Sequence, residues 1–370
     1  MKRMILSTAT ALGLIFSVAA AQAETVKIAF AGPMTGSVKQ YGDMVREGFD
    51  TAIELINAAG GVNGMKFEAV YYDDACEPKQ AVAVANKIVS DEVGFVIGHV
   101  CSGSTIPAAD VYDNEGIVMI TSSASAPALT DAKQRTSIFR TMGRDDQQSP
   151  AAAKYIIEKI KPQKVAVLHD KQSYGQGVAV AVKDELDKNN VNVAILEGIN
   201  VGESDYSAVI TKMKAAGIDF VYFGGYHPEM GLLLRQAKEQ GFNAGFMGTE
   251  GIANNQLAAV AGPAAEGVYM TQAANFAHDP SNAELVKTFK DKGRDASGAY
   301  QLQTYTAVKV IADSINALKS TDPEKVAEYI HANSFDTPIG KISYDEKGDL
   351  KIFTYDILRA NKDGSRTLAP

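Results

Sequence analysis

Short apolar runs alternate with amphipathic helical patterns along almost the whole chain, in two successive series. The first series predicts strands at 26–30, 65–72, 94–97 and 117–120, with helices at 43–58, 80–89 and 106–113. Within 43–58, Val45, Phe49, Ala52, Ile53 and Ile56 recur at helical spacing, and the glycine-rich turn 60–64 ends that helix. A polar stretch, 143–149, interrupts the pattern. It then restarts with helices at 151–160, 174–188, 206–216 and 228–240 and strands at 164–168 and 219–223. Strands separated by helices imply parallel sheets covered on both faces, so two series imply two α/β lobes. The tail predicts helices at 299–318 and 323–332, then strands at 339–344 and 351–358 joined by a hairpin turn at 345–349.

The first 23 residues do not belong to this pattern. Lys2 and Arg3 precede a mostly apolar stretch containing Leu12, Leu14, Ile15, Phe16 and Val18. Ala21, Gln22 and Ala23 then form a small-x-small site before Glu24. This reads as a secretory signal peptide cleaved after Ala23. The apolar run is shorter than the ~20 residues of a membrane-spanning helix. About 350 residues remain, which fits two domains. The chain carries a net charge of −8, and losing Lys2 and Arg3 makes it more acidic. An acidic protein without a basic run is a poor partner for nucleic acid or an anionic membrane.

Cys76 and Cys101 are the only cysteines. In an oxidising export compartment such a pair is expected to form a disulfide. The rival reading is a thiol nucleophile working with His99 or His169. Phosphate-loop, zinc-ligand and nucleophile-elbow motifs are absent. Gly175 and Gly177 begin like a dinucleotide fingerprint, but Val180 stands where its third glycine belongs. The five histidines do not cluster. Asp73 and Asp74, at a strand end, offer oxygens to a metal but read more simply as loop carboxylates. Neither a cofactor nor a catalytic group is expected, and an exported hydrolase is the weaker class.

Ligands of open α/β sheets bind beyond the carboxyl ends of the strands. Here those ends run into His99–Ser104, Thr121–Ser125, Tyr226–Glu229 and Thr249–Gly251. Hydroxyls and free N–H groups at a helix start suit a carboxylate. A glutamate facing them suits an ammonium. Together they describe an α-amino acid site, with ordinary helix capping by Ser102, Ser104 and Ser125 as the competing explanation.

Several stretches carry a family resemblance: 41–43, 57–61, 72–86, 98–102, 226–230 and 345–351. Over essentially all of the exported part, the chain resembles the periplasmic leucine/isoleucine/valine-binding proteins of branched-chain amino acid ABC transporters. The resemblance implies a type I periplasmic binding protein fold, two doubly wound α/β lobes joined by three crossing segments. The first lobe would comprise 24–143 and 274–352, the second 144–273 and 353–370. It implies a Cys76–Cys101 disulfide and a monomer that delivers its ligand to an inner-membrane permease.

Position by position, the resemblance implies that Ser102 and the Ser125 N–H hold the ligand carboxylate. The Ser123 carbonyl, the Ser125 hydroxyl and Glu250 would hold the ammonium. Tyr174 and Tyr226 would close over the ligand, and Tyr41, Val100, Cys101 and Tyr300 would line the side-chain pocket. Relatives carry Thr at the Ser125 position and Ala or Gly at the Ser123 position, so Ser123 is expected to add polarity near the ligand. Broad binders have Phe at the Tyr300 position. A leucine-specific relative has Tyr there and Trp at the Tyr41 position. Branched-chain amino acids are therefore the expected ligands. Other small neutral amino acids or amides (Ala, Thr, Pro) and a sensory receptor on the same fold are the alternatives.

Overall fold

The computed structural model describes residues 24–370, so the export segment read at 1–23 lies outside the described residues. The first sheet holds β1 (Thr25–Gly32), β2 (Lys66–Asp73), β3 (Phe95–Gly98), β4 (Val118–Thr121) and β5 (Ile138–Arg140). Its strand order is β2-β1-β3-β4-β5 and every pairing is parallel. Helices α1 (Lys39–Ala58), α2 (Pro78–Ser90) and α3 (Ser102–Asn114) make its crossovers, and the short α4 (Ala128–Asp131) follows β4.

The chain then passes through α5 (Asp145–Tyr155) into a second sheet. Its parallel part is β6 (Val165–His169), β7 (Val193–Gly198), β8 (Phe220–Gly224), β9 (Gly245–Gly248) and β10 (Tyr269–Ala273). Its connections are α6 (Ser173–Lys188), α7 (Ser207–Ala215), α8 (His227–Glu239) and the short α9 (Gln256–Ala261). The chain next returns to the first sheet. There α10 (Ala283–Asp291), α11 (Gln301–Leu318) and α12 (Pro323–Ala332) bury Phe289, Val308, Ile311 and Val326 in one core with Ile28, Phe30, Ile97 and Ile120. A small antiparallel pair, β11 (Ser334–Thr337) and β12 (Gly340–Ser343), precedes the last crossing. β13 (Tyr355–Ala360) and β14 (Arg366–Leu368) then extend the second sheet antiparallel beside β10. The architecture is thus two doubly wound lobes with three chain passages between them. Each fully buried Phe, Ile or Val contributes about 1.5–3 kcal/mol. Among the described residues no helix is long and apolar enough to cross a membrane.

The expected alternation is observed, with instructive differences. Helix α3 begins at Ser102, four residues before the apolar periodicity that predicted it at 106. Helix α1 likewise starts at Lys39 rather than at 43. The polar stretch 143–149 carries the first passage between the sheets and runs directly into a helix. Residues 145–149 form the start of α5, where Gln147 Oε1 accepts from the Arg144 N–H at 3.0 Å and the Gln147 N–H donates to the Arg144 carbonyl. The end of the predicted helix 151–160 is a π-helical turn, Ile156–Ile160.

The predicted hairpin at 345–349 is corrected. The turn forms, with Gly348 N donating to Asp345 O, but it is flanked only by a bridge between Tyr344 and Leu350. β12 pairs with β11, and the strand after the turn leaves for the free edge of β10. Gly348 is required at φ +87°, because a Cβ there would strike the Ile138 carbonyl. Gly175 packs against Asp170 and the Gly224 carbonyl with no room for a Cβ, so it serves helix–sheet packing.

Cys76 and Cys101 form a disulfide, with Cα atoms 5.6 Å apart. The thiol-nucleophile reading therefore falls. His99 is a buried structural histidine held by Asp74 at 2.6 Å and Tyr112 at 2.9 Å. Denatured exported protein should show no free thiol on titration. Replacing both cysteines by serine should cost roughly 3 kcal/mol of unfolding free energy, the chain-entropy value for such a loop. Two titratable thiols in freshly exported protein would refute the pairing.

Candidate functional site

The two sheets point their strand ends at one another, and the polar groups singled out in the sequence meet there. On the first side, Ser102 is the first residue of α3, so the helix N-terminus faces the cleft. Its hydroxyl accepts from Ala126 N at 3.3 Å. Thr121 Oγ1 donates to the His99 carbonyl and accepts from Ala124 N, which shapes the loop after β4. The Ser123 hydroxyl donates to the Val100 carbonyl at 3.0 Å. Its polarity is therefore spent on the backbone, contrary to the added polarity expected of it.

On the second side, Thr249 caps a short 3-10 turn, Glu250–Ile252, and its hydroxyl donates to the Gly225 carbonyl at 2.9 Å. This turn holds Glu250 at the end of β9. Gln148 on α5 fixes it from behind, accepting from Glu250 N at 3.2 Å and from Thr271 Oγ1 at 2.6 Å. The Tyr174 hydroxyl accepts from Gly251 N at 3.3 Å.

Between the sides is a narrow cavity, with about 10 Å³ of space for the centre of a water molecule, lined by Tyr41, Val100, Ser102, Ser123, Tyr174, Tyr226, Glu250 and Tyr300. Eight of the ten predicted site residues are therefore together. Cys101 does not line it; it is tied into the disulfide and caps α3. Ser125 is fully buried and lies behind the lining, beside the Glu250 and Asp145 carboxylates. Four tyrosines form the apolar part, with Tyr226 centred 5.5 Å from Tyr41 and 5.4 Å from Tyr174, and Tyr300 6.2 Å from Tyr41.

Tyr41, from the first side, bonds across the cleft. Its hydroxyl donates to the Gly251 carbonyl, accepts from Asn254 Nδ2 at 2.8 Å and meets His227 Nδ1 at 2.8 Å. Burial lowers His227 to a pKa of about 4, so the ring is neutral. With the Tyr41 proton on Gly251, His227 must donate from Nδ1–H. The lobes are closed on one another through this contact.

Electrostatically the cleft is two-faced. The helix start at Ser102 offers positive partial charge. Opposite it, burial holds the Glu250 carboxyl well above its ordinary range, and the charge of Asp145 adds to this. Asp145 is itself pushed up to about 7, chiefly by burial, against the pull of Ser125 and Arg140. Among the described residues, Ser125 Oγ, Glu250 Oε2 and Asp145 Oδ2 are all buried without a well-aligned hydrogen bond. An arrangement of acceptors facing a helix N-terminus across a tyrosine cage suits a small zwitterion with an apolar side chain. Asp145 was missed in the sequence because it falls in the stretch read as a break. An acid at the first position of a helix was the available signal.

Comparison with known proteins agrees with this geometry. The periplasmic binding protein family model matches residues 25–365. The leucine-, isoleucine-, valine-, threonine- and alanine-binding protein of Pseudomonas aeruginosa is 55% identical, across 93% of this chain and 92% of that protein. The crystal structure of a leucine-binding protein from Thermotoga maritima superposes with a TM-score of 0.86 at 27% identity, covering 93% of this chain and 98% of that one. The ABC transporter substrate-binding protein of Desulfitobacterium hafniense in complex with Leu superposes with a TM-score of 0.76 at 25% identity, covering 94% and 100%. With the fold, the cleft and the relatives in agreement, the chain belongs to the periplasmic binding protein family.

Proposed function

We propose that this protein binds a branched-chain L-amino acid between its lobes and hands it to an inner-membrane ABC permease. The observation that carries the reading is the helix N-terminus at Ser102 facing the buried Glu250 carboxylate across four tyrosines. Ser102 and the Ser125 N–H take the ligand carboxylate. The Ser123 carbonyl, the Ser125 hydroxyl and Glu250 take the ammonium. Tyr41, Val100, Tyr174, Tyr226 and Tyr300 enclose the side chain, with Cys101 holding the wall behind it. Lobe 1 is 24–143 with 274–352, and lobe 2 is 144–273 with 353–370. The return of β13 and β14 to the second sheet supports that division. Binding closes the lobes by a hinge motion, and Tyr41 is the cross-cleft latch. The protein acts as a non-enzymatic monomer in the periplasm, after cleavage at Ala23.

A second reading, broader binding that includes threonine and alanine, is favoured by the Pseudomonas relative, named as binding those two as well. The engaged Ser123 hydroxyl speaks against a dedicated hydroxyl site. Calorimetry should find leucine, isoleucine and valine within roughly tenfold of one another, because one buried methylene is worth about 0.8 kcal/mol. Tight alanine or threonine binding with none for leucine would overturn the branched-chain assignment.

A further inference from the structure

We propose that Arg140, held by Asp349, is the positioning residue that aims Ser125 at the ligand. The inference rests on reading Ser125 as a ligand residue. Arg140 ends β5 and is fully buried. Its Nε forms an ion pair with Asp349 Oδ1 at 2.5 Å. Its Nη1 donates to the Ala124 carbonyl at 3.1 Å and the Ala126 carbonyl at 3.3 Å, and Nη2 donates to the Ala126 carbonyl at 3.3 Å. The carbonyls on both sides of Ser125 are thus fixed by one planar guanidinium.

The consequence follows from peptide geometry. In a trans peptide the C=O of one residue and the N–H of the next point in opposite directions. Fixing the Ala124 carbonyl on Arg140 turns the Ser125 N–H to the other side of the loop. The next peptide obeys the same logic. The Ser125 carbonyl accepts from Asp145 N at 3.0 Å, and the Ala126 N–H accordingly points away, to Ser102 Oγ. Two successive peptides are locked with their donors on defined sides. The two donors concerned are those of Ser125 and of the residue that meets Ser102.

Asp349 sets where Arg140 can stand. Its Oδ2 accepts from Thr130 Oγ1 at 2.8 Å and from Arg144 Nη1 at 2.6 Å. Thr130 in turn accepts from Arg140 Nη2 at 2.8 Å. Arg140 N also donates to the Gly348 carbonyl at 3.1 Å, clamping the 345–349 turn onto β5. Arg144 lies on the first passage between the sheets, and Asp349 leads into the last. The loop that presents Ser125 is therefore anchored to the base of two crossing segments. A flexible ammonium could carry the charge but not the fork that holds both carbonyls.

The test uses the exported protein, L-leucine and calorimetry, with circular dichroism to establish that each variant is folded. Arg140→Lys and Asp349→Asn should each weaken leucine binding by the folded protein roughly tenfold or more. Arg140→Lys should be non-additive with Ser125→Ala and additive with Tyr226→Phe, since Tyr226 stands on the opposite side. Should Arg140→Lys not fold, Asp349→Asn enters the same cycles. Loss of thermal stability with leucine affinity within twofold of wild type would overturn the proposal, as would full additivity with Ser125→Ala. If Ser125→Ala itself binds leucine like wild type, the ligand role of the Ser125 hydroxyl has failed, while the N–H, which alanine keeps, is still read by Arg140→Lys. If Ser125→Ala weakens binding while both hinge-side variants do not, only the positioning role has failed.

Discussion

Glu250→Gln should lower the affinity for L-leucine by roughly 10²- to 10³-fold at neutral pH and above. The carboxylate is 2% exposed and its Oε2 lacks a well-aligned hydrogen-bond partner among the described residues. An ammonium brought into the closed cleft is desolvated, and its charge has to be met there. Removing one partner of a buried pair costs about 3–5 kcal/mol, or two to three decades or more at about 1.4 kcal/mol each. The amide keeps the shape and the Glu250 N–H bond to Gln148, so the loss reports the charge. Ser102→Ala should cost less, about 1–3 kcal/mol, because the backbone N–H groups of the α3 start still face the carboxylate. Near-wild-type affinity in Glu250→Gln, with binding abolished in Ser102→Ala, would place the ammonium elsewhere.

How much of this was legible depended on the range of the signal. Apolar periodicity in 43–58 and 80–89 marked helices whose faces are buried in the cores, and burial is what periodicity encodes. Strand ends were legible for the same reason, and they brought Ser102, Ser123, Tyr226 and Glu250 to one cleft. The short strand Ile138–Arg140 gave no pattern, since three residues cannot display alternation. The edge strand β14 has two exposed residues of three and was equally silent. The hairpin error had a different origin. The turn at 345–349 is local and readable, but which edge takes the next strand depends on β10, some eighty residues earlier in the chain. Asp145 and Arg140 escaped because their meaning is tertiary. A buried carboxylate and a buried guanidinium look like surface residues until the fold encloses them.

The closed form, without ligand, should lose stability as the pH rises from about 4 to about 7, and ligand binding should reverse much of that loss. Asp145 has an ordinary value of 3.8 and sits near 7 in the folded chain, with burial as the leading cause. Below pH 4 it is protonated in both states and costs nothing. Between the two values the folded state keeps a proton that the unfolded state gives up. Stability therefore falls with rising pH, by up to about 1.4 kcal/mol per unit, and on the order of 4 kcal/mol in total. Above pH 7 the penalty is complete. Glu250 and Asp170 are raised and act in the same sense. Asp131, held down to about 2 by Arg144, acts oppositely, and its contribution is lost below about pH 4. The groups facing Asp145 are Arg140, Arg144, Asp146, Glu250 and the rings of Tyr174, Tyr222, Tyr226, Tyr300 and Tyr355. Burial raises all five tyrosines, so they remain neutral across this range. An entering ammonium favours the charged form of both Glu250 and Asp145, so binding should release protons and tighten as pH rises from 5 to 8. Wild type should then converge on Glu250→Gln toward pH 5, where the carboxylate must first surrender its proton. Calorimetry at pH 6 in two buffers of different ionisation heat reads the released protons directly, and Asp145→Asn should reduce their number. Leucine affinity that is flat from pH 5 to 8, with no proton release, would mean that the two carboxylates do not respond to the ligand's charge.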